Sequence, residues 1–163
     1  MRKKEVISLL KEFSQSLDSS FSLRDFVAVD RTALLLRDVL VKETEIVDLV
    51  IPKRSKFNEF KIKHKDFHEY LSPEILRWEK ADLHVGTPQS YYLVPPFDRY
   101  EDLNIDGLNV RVRPLRLILR DMENYLNKMN VFAKKDSTTP YLRRFYLYKE
   151  TFEIVKLLKN YVY

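Results

Sequence analysis

At 163 residues, 45% hydrophobic and 33% charged, the chain is long enough to bury a core of its own and has the composition of one folded domain. A net charge of +5 favours anionic partners, and the absence of cysteine excludes a disulfide framework and a thiolate metal site, which suits the cytoplasm. With only two glycines, Gly86 and Gly107, no Gly-rich phosphate loop can be built, so P-loop NTPases and Rossmann dinucleotide binders are excluded.

Residues 3–17 carry Val6, Leu9, Leu10, Phe13 and Leu17 at helical spacing, which predicts an amphipathic helix. The basic start, Met1 to Lys4, is not followed by an apolar segment, because Glu5, Ser8, Lys11 and Glu12 interrupt it. No apolar run reaches the length of a membrane span, so no membrane partner is expected. After the polar break Asp18-Ser19-Ser20, a strand is expected at Phe26–Val29. A helix then follows through Thr32, Ala33, Leu36 and Val39, and a second strand at Ile46–Ile51.

Residues 57–65 alternate enough to predict a strand with Lys61, Lys63 and Lys65 on one face. Ser72-Pro73-Glu74 reads as a cap and first helical turn, or as a turn alone. Lys80–Val85 is a further strand, and Tyr91–Pro96 is irregular. Asp106-Gly107, between Leu103–Ile105 and Leu108–Val112, predicts a tight hairpin, since both turn residues need positive φ. Pro114 then opens a helix through Leu115, Ile118, Leu119, Met122, Tyr125, Leu126 and Met129. Lys134–Thr139 reads as a polar linker. Thr139-Pro140 starts a last helix with a stripe of Tyr141, Phe145, Tyr148, Phe152, Val155, Leu158 and Val162. The order predicts a single α+β domain, a small mixed β-sheet with flanking helices and long C-terminal helices. Its core spans about residues 20–130 and its last helix about 140–162.

The succession strand, turn, helix, then a strand bearing Asp48 resembles the core of the nucleotidyltransferase superfamily. The resemblance is to the minimal nucleotidyltransferases and the abortive-infection nucleotidyltransferase-like toxins. A later strand acid, Asp82 in Ala81-Asp82-Leu83-His84-Val85-Gly86, and the Asp-Gly hairpin followed by Val112-Arg113-Pro114-Leu115 extend it over residues 20–130. Proteins of that family carry Gly-Gly or Gly-Ser at the turn and Asp-x-Asp on the second strand. Here the turn is Asp30-Arg31 and the acid pair reads Ile46-Val47-Asp48.

By resemblance, Asp48 and Asp82 are the candidate catalytic acids and ligands of Mg²⁺, with Ile46 standing where the first acid belongs. Isoleucine cannot ligate Mg²⁺, and two carboxylates make a weak site for an ion that dehydrates reluctantly. The alternative for Asp48 is a cap, an ion pair or a remnant. Asp30 adds negative charge where a triphosphate would lie, and Arg31 either offsets it as a phosphate fork or pairs and caps locally. Lys53, Arg54, Lys56, Lys61, Lys63 and Lys65, with Phe57 and Phe60 among them, form the densest basic run. It is either a phosphate or nucleic-acid surface or a solvated strand edge. Arg111, Arg113, Arg116 and Arg120 form a second basic run. His64 and His68 stand four apart without the glutamate of a zinc protease, and read as an incidental pair.

Two functions follow. One is a degenerate nucleotidyltransferase-fold protein that binds nucleic acid, a nucleotide or a protein partner. The other is an active Mg²⁺-dependent enzyme transferring a nucleotide to RNA or protein. The wide stripe of the last helix offers a protein-partner or homodimer surface.

Overall fold

The computed structural model describes residues 1–133 and 139–162, with side chains described for residues 1–129 and 148–162. Helix α1 (Lys3–Ser16) buries Val6, Ile7, Leu9, Leu10 and Phe13 as its spacing requires. Strand β1 (Val27–Ala28) leads into α2 (Asp30–Leu36), and β2 (Val47–Val50) returns antiparallel beside β1, with Val27 opposite Val50. The two expected strands are therefore neighbours.

The segment expected as a strand at 57–65 is helical: α3 spans Arg54–Lys63. Phe57, Phe60 and His64, at i, i+3 and i+7, are all buried, and this helical repeat outweighs the short alternation of lysines. Lys61, Lys63 and Lys65 do not line a strand face. The Ser72-Pro73-Glu74 segment opens no helix. It begins β4 (Ser72–Trp78), which pairs antiparallel with β3 (Phe67–Tyr70) beside a register shift at Glu69/Tyr70. Proline is tolerated at a strand start or bulge, which hid this hairpin from a turn-based reading. Strand β5 (Leu83–Gly86) starts later than its sequence pattern suggests.

The hairpin of β6 (Glu101–Ile105) and β7 (Leu108–Val112) turns at Asp106, φ 51°, and Gly107, φ 79°, as expected. After Pro114, α4 (Leu115–Ala133) and α5 (Thr139–Val162) pack together. Residues 134–138 of the expected linker lie outside the described residues, as do the Tyr141 and Phe145 side chains. The expected stripe on α5 is corrected at one position: Phe152 is exposed, while Thr151, Val155 and Leu158 face inward. No helix of the described residues is long and apolar enough to cross a membrane.

The seven strands form one mixed sheet in the order β3-β4-β5-β2-β1-β7-β6, with β1 parallel to β7 and β2 parallel to β5. Strand alternation divides its two faces. Phe26, Ala28, Val47, Leu49, Ile51, Leu83, Val85, Val110 and Val112 enter the main core with the helices. Val27, Val29 and Val50 point the other way, where Leu93, Tyr91 and Phe97 cover them from the segment after β5. Asp48, between Val47 and Leu49, belongs to this second face.

Candidate functional site

The site is built around the middle of β2. The Asp48 backbone N–H donates to Thr32 Oγ1 at 2.9 Å, and its carbonyl accepts from the Val29 N–H at 3.3 Å, so the start of α2 and the end of β1 fix its backbone. Its carboxylate accepts the Tyr91 hydroxyl at 2.6 Å, and His84 Nδ1 lies 3.9 Å away. Tyr91 reaches it because a short 3₁₀ turn, Gln89–Tyr91, folds back over Gly86. A Cβ on Gly86 would lie 2.5 Å from the Tyr91 ring and 2.6 Å from Ser90 Oγ. Glycine is needed here for close approach, and not for an unusual φ.

Burial pushes the Asp48 carboxyl up to about 7; the nearby Asp30 charge raises it further, against the hydrogen bond from Tyr91 and the charge of Arg31. Burial also pushes Asp30 up to about 6, with Arg31 opposing and Asp121 adding to the rise. His84, buried beside Arg77, is held down at about 4 and is therefore neutral at physiological pH. Asp30 opens α2 at φ 53°, a left-handed conformation that aspartate tolerates better than most residues. The backbone at this turn thus has the form a glycine would take, while the side chain adds an acid.

The expected site residues do not converge. The β2–β5 register sets His84, rather than Asp82, opposite Asp48. Asp82 falls one step back, level with Ile46, and accepts from Arg77 Nη2 at 2.9 Å in solvent. The guanidinium of Arg31 pairs with Glu150 of α5 at 2.7 Å, not with Asp30. In the basic run, Arg54 pairs with Glu74, Lys61 with Glu69, Lys63 with Glu59 at 3.0 Å, and Lys56 stands 4.3 Å over the Phe21 ring. Lys53 precedes α3 and Lys65 follows it, without an ion pair among the described residues. The intervening Phe57 and Phe60 are buried, so they cannot stack on a base. His64 binds Phe60 O through Nδ1 and accepts the Asp18 N–H through Nε2, whereas His68 lies on β3 against Glu79. The two histidines serve separate structural ends.

The donor set does not fit Mg²⁺. Asp48 is engaged by Tyr91, Asp82 by Arg77, and the group between them is a neutral imidazole. Among the described residues no cluster of three or more His, Asp or Glu side chains can hold a metal ion.

Sequence reading missed the second anchor of this face. Arg113, fully buried, forks onto Asp121 at 2.9 and 3.0 Å and donates to Pro96 O at 2.5 Å and Val94 O at 2.6 Å. Asp121 also accepts the Val94 N–H at 2.8 Å. Burial raises the Asp121 carboxyl despite the fork. The covering segment is thereby clamped to β7 and α4. The i, i+8 spacing of Arg113 and Asp121 across a helix start was the one available signal.

A crystal structure of an antigenic nucleotidyltransferase-like protein from Paracoccidioides brasiliensis superimposes on this chain with a TM-score of 0.52 at 20% identity, covering 97% of this chain and 77% of that one. The chain has a nucleotidyltransferase-like fold. No protein-family model matches it, and no curated protein does. Within the nucleotidyltransferase-like fold, Asp48 lies on the face of the sheet turned away from the main core, beneath the segment after β5, and its chemistry is set by Tyr91 and His84.

Proposed function

We propose that this is a degenerate nucleotidyltransferase-fold protein that acts by binding a nucleic acid, a nucleotide or a protein partner, without nucleotide transfer. The observation that carries the reading is the environment of Asp48: a tyrosine hydroxyl and a neutral histidine stand around it, and Ile46 lies level with Asp82. Two divalent cations need several converging carboxylates to activate an attacking oxygen and bear the charge of the phosphorane. The branch proposed is that of the minimal nucleotidyltransferases and abortive-infection toxins, in keeping with one sheet followed by two long helices.

Incubating the protein with labelled nucleoside triphosphates, Mg²⁺ or Mn²⁺, and bulk RNA is expected to give no labelled product. A product that disappears in Asp48→Ala would establish the competing reading, an active transferase.

A further inference from the structure

The sheet ends in β3 on one side and β6 on the other, and the two edges differ. Strand β3 is short, its register with β4 shifts at Glu69/Tyr70, and the Phe67 N–H is closed onto His64 O at 3.2 Å. Short, bulged edges of this kind keep foreign strands away. Strand β6 has no such device. Its five residues pair with β7 without a shift, from Glu101 opposite Val112 to Ile105 opposite Leu108. Among the described residues it has a neighbouring strand on one side only.

The phase of its hydrogen bonds follows from the turn and from β7. A two-residue turn makes its flanking pair, Ile105 and Leu108, a hydrogen-bonded one, so Glu101, Leu103 and Ile105 direct their backbone groups at β7. Strand β7 agrees: just past its end, Arg113 donates its N–H to Ala28 O of β1 at 3.0 Å, which turns Val110 and Val112 toward β6. The N–H and C=O groups of Asp102 and Asn104 therefore project from the free edge. Both side chains are exposed and share one face, where Asn104 Nδ2 donates to Asn109 Oδ1 at 3.0 Å and Asp102 lies 3.7 Å from Arg111 Nε. Leu103 and Ile105 lean on the main core from the other face and are only partly covered.

From this phase and the side chains that go with it, we infer that β6 pairs antiparallel with β6 of a second copy of this chain, about a two-fold axis at Leu103. This register sets Asp102 of each copy opposite Asn104 of the other, so the four projecting N–H groups and carbonyls of each copy meet their complements. Each Asp102 carboxylate then faces a carboxamide. The pair on the axis is of the non-hydrogen-bonded kind, whose side chains come closest, so the two Leu103 side chains meet and lose water-exposed area. The neighbouring registers of the same phase are poorer. Sliding by two residues sets Asp102 against Asp102 in one direction and against Asp106 in the other, and like charges directly opposite are destabilising. The acids of the strand are also offset within each copy, Glu101 by Arg37 at 3.4 Å and Asp102 by Arg111. The edge shares no residue with the surroundings of Asp48, so pairing and nucleotide transfer are tested separately.

Sedimentation equilibrium of the whole chain over a range of concentrations is expected to show a reversible doubling of mass. Asn104→Pro deletes an outward N–H and none of those directed at β7, and proline is tolerated on edge strands. It is expected to stay monomeric with the circular dichroism of the parent. Asn104→Asp sets acid against acid at two symmetric positions and is expected to weaken the dimer by about tenfold. The exchanged double variant, Asp102→Asn/Asn104→Asp, again sets an acid opposite an amide and is expected to recover the parent affinity to within about threefold. Should Asn104→Pro lose its structure, these two charge variants decide alone. A parent that is monomeric at every concentration overturns the inference. So does a dimer that survives Asn104→Pro, which would lie on another surface such as the exposed Leu157 and Tyr161 of α5. An exchange that fails to recover what Asn104→Asp loses overturns the pairing about Leu103.

Discussion

At Asp48, desolvation outweighs the single good hydrogen bond from Tyr91, and the carboxyl ends near 7, far above the ordinary aspartate value. The sign for stability follows. The folded state holds protons on Asp48 and Asp30 that the unfolded chain has already released above pH 4. Unfolding therefore releases protons, and stability falls as pH rises from the unfolded value through about 6 and 7. Asp48→Asn keeps an acceptor for Tyr91 and removes the charge. It is expected to be more stable than the parent at pH 8 by roughly 1–3 kcal/mol, with the difference vanishing near pH 4. Urea unfolding across that range measures it, and an unchanged profile would show that Asp48 is well solvated. Asp48 itself was legible from the sequence, because a lone acid inside an apolar strand stands out. Its partners were not, because Tyr91 arrives from 43 residues away by a turn with no distinctive pattern.

At the scale of elements, the β5 end and the loop after it decide what covers the Asp48 face. Gly86→Ala is expected to cost about 1–3 kcal/mol, since the new methyl displaces Tyr91 and Ser90. The same change removes the hydroxyl from Asp48, which a carboxyl-carbon NMR titration reads as a further rise in its pKa. The clamp at the other end of the loop rests on a buried ion pair. Asp121→Ala leaves Arg113 charged and unpaired in the interior, an expected loss of about 3–5 kcal/mol by chemical denaturation. A loss below 1 kcal/mol would mean that the loop is held by something else. Element types were legible where spacing was long and regular, as in α1 and α4. They failed at α3, where two phenylalanines set the helix while three lysines mimicked a strand. They failed again at β3 and β4, where Pro73 masked a strand start.

Across the whole molecule, α5 closes the structure by apolar burial more than by charge. The Arg31–Glu150 pair joins it to α2, but Glu150 is well exposed and such pairs contribute at most about 1 kcal/mol. Leu158 is fully buried, so Leu158→Ala is expected to cost about 2–5 kcal/mol, whereas Glu150→Ala is expected to stay within about 1 kcal/mol. Denaturant midpoints of the two variants compare them directly. Equal losses would mean that the ion pair, and not the packing, seats the helix.

The sequence alone determined the α+β class, the existence of the two strands around α2, the Asp-Gly hairpin and the long terminal helices. These are local patterns: apolar periods, a positive-φ turn and a proline at a helix start. Tertiary structure alone decided what surrounds the acids. Register set His84 beside Asp48 and Asp82 beside Ile46, and a folded-back loop delivered Tyr91. Arg54 and Lys61 found carboxylates on β4 and β3, while Lys53 and Lys65 stayed without an ion pair among the described residues. Side-chain neighbours across strands and loops depend on register and closure, and no local period encodes those.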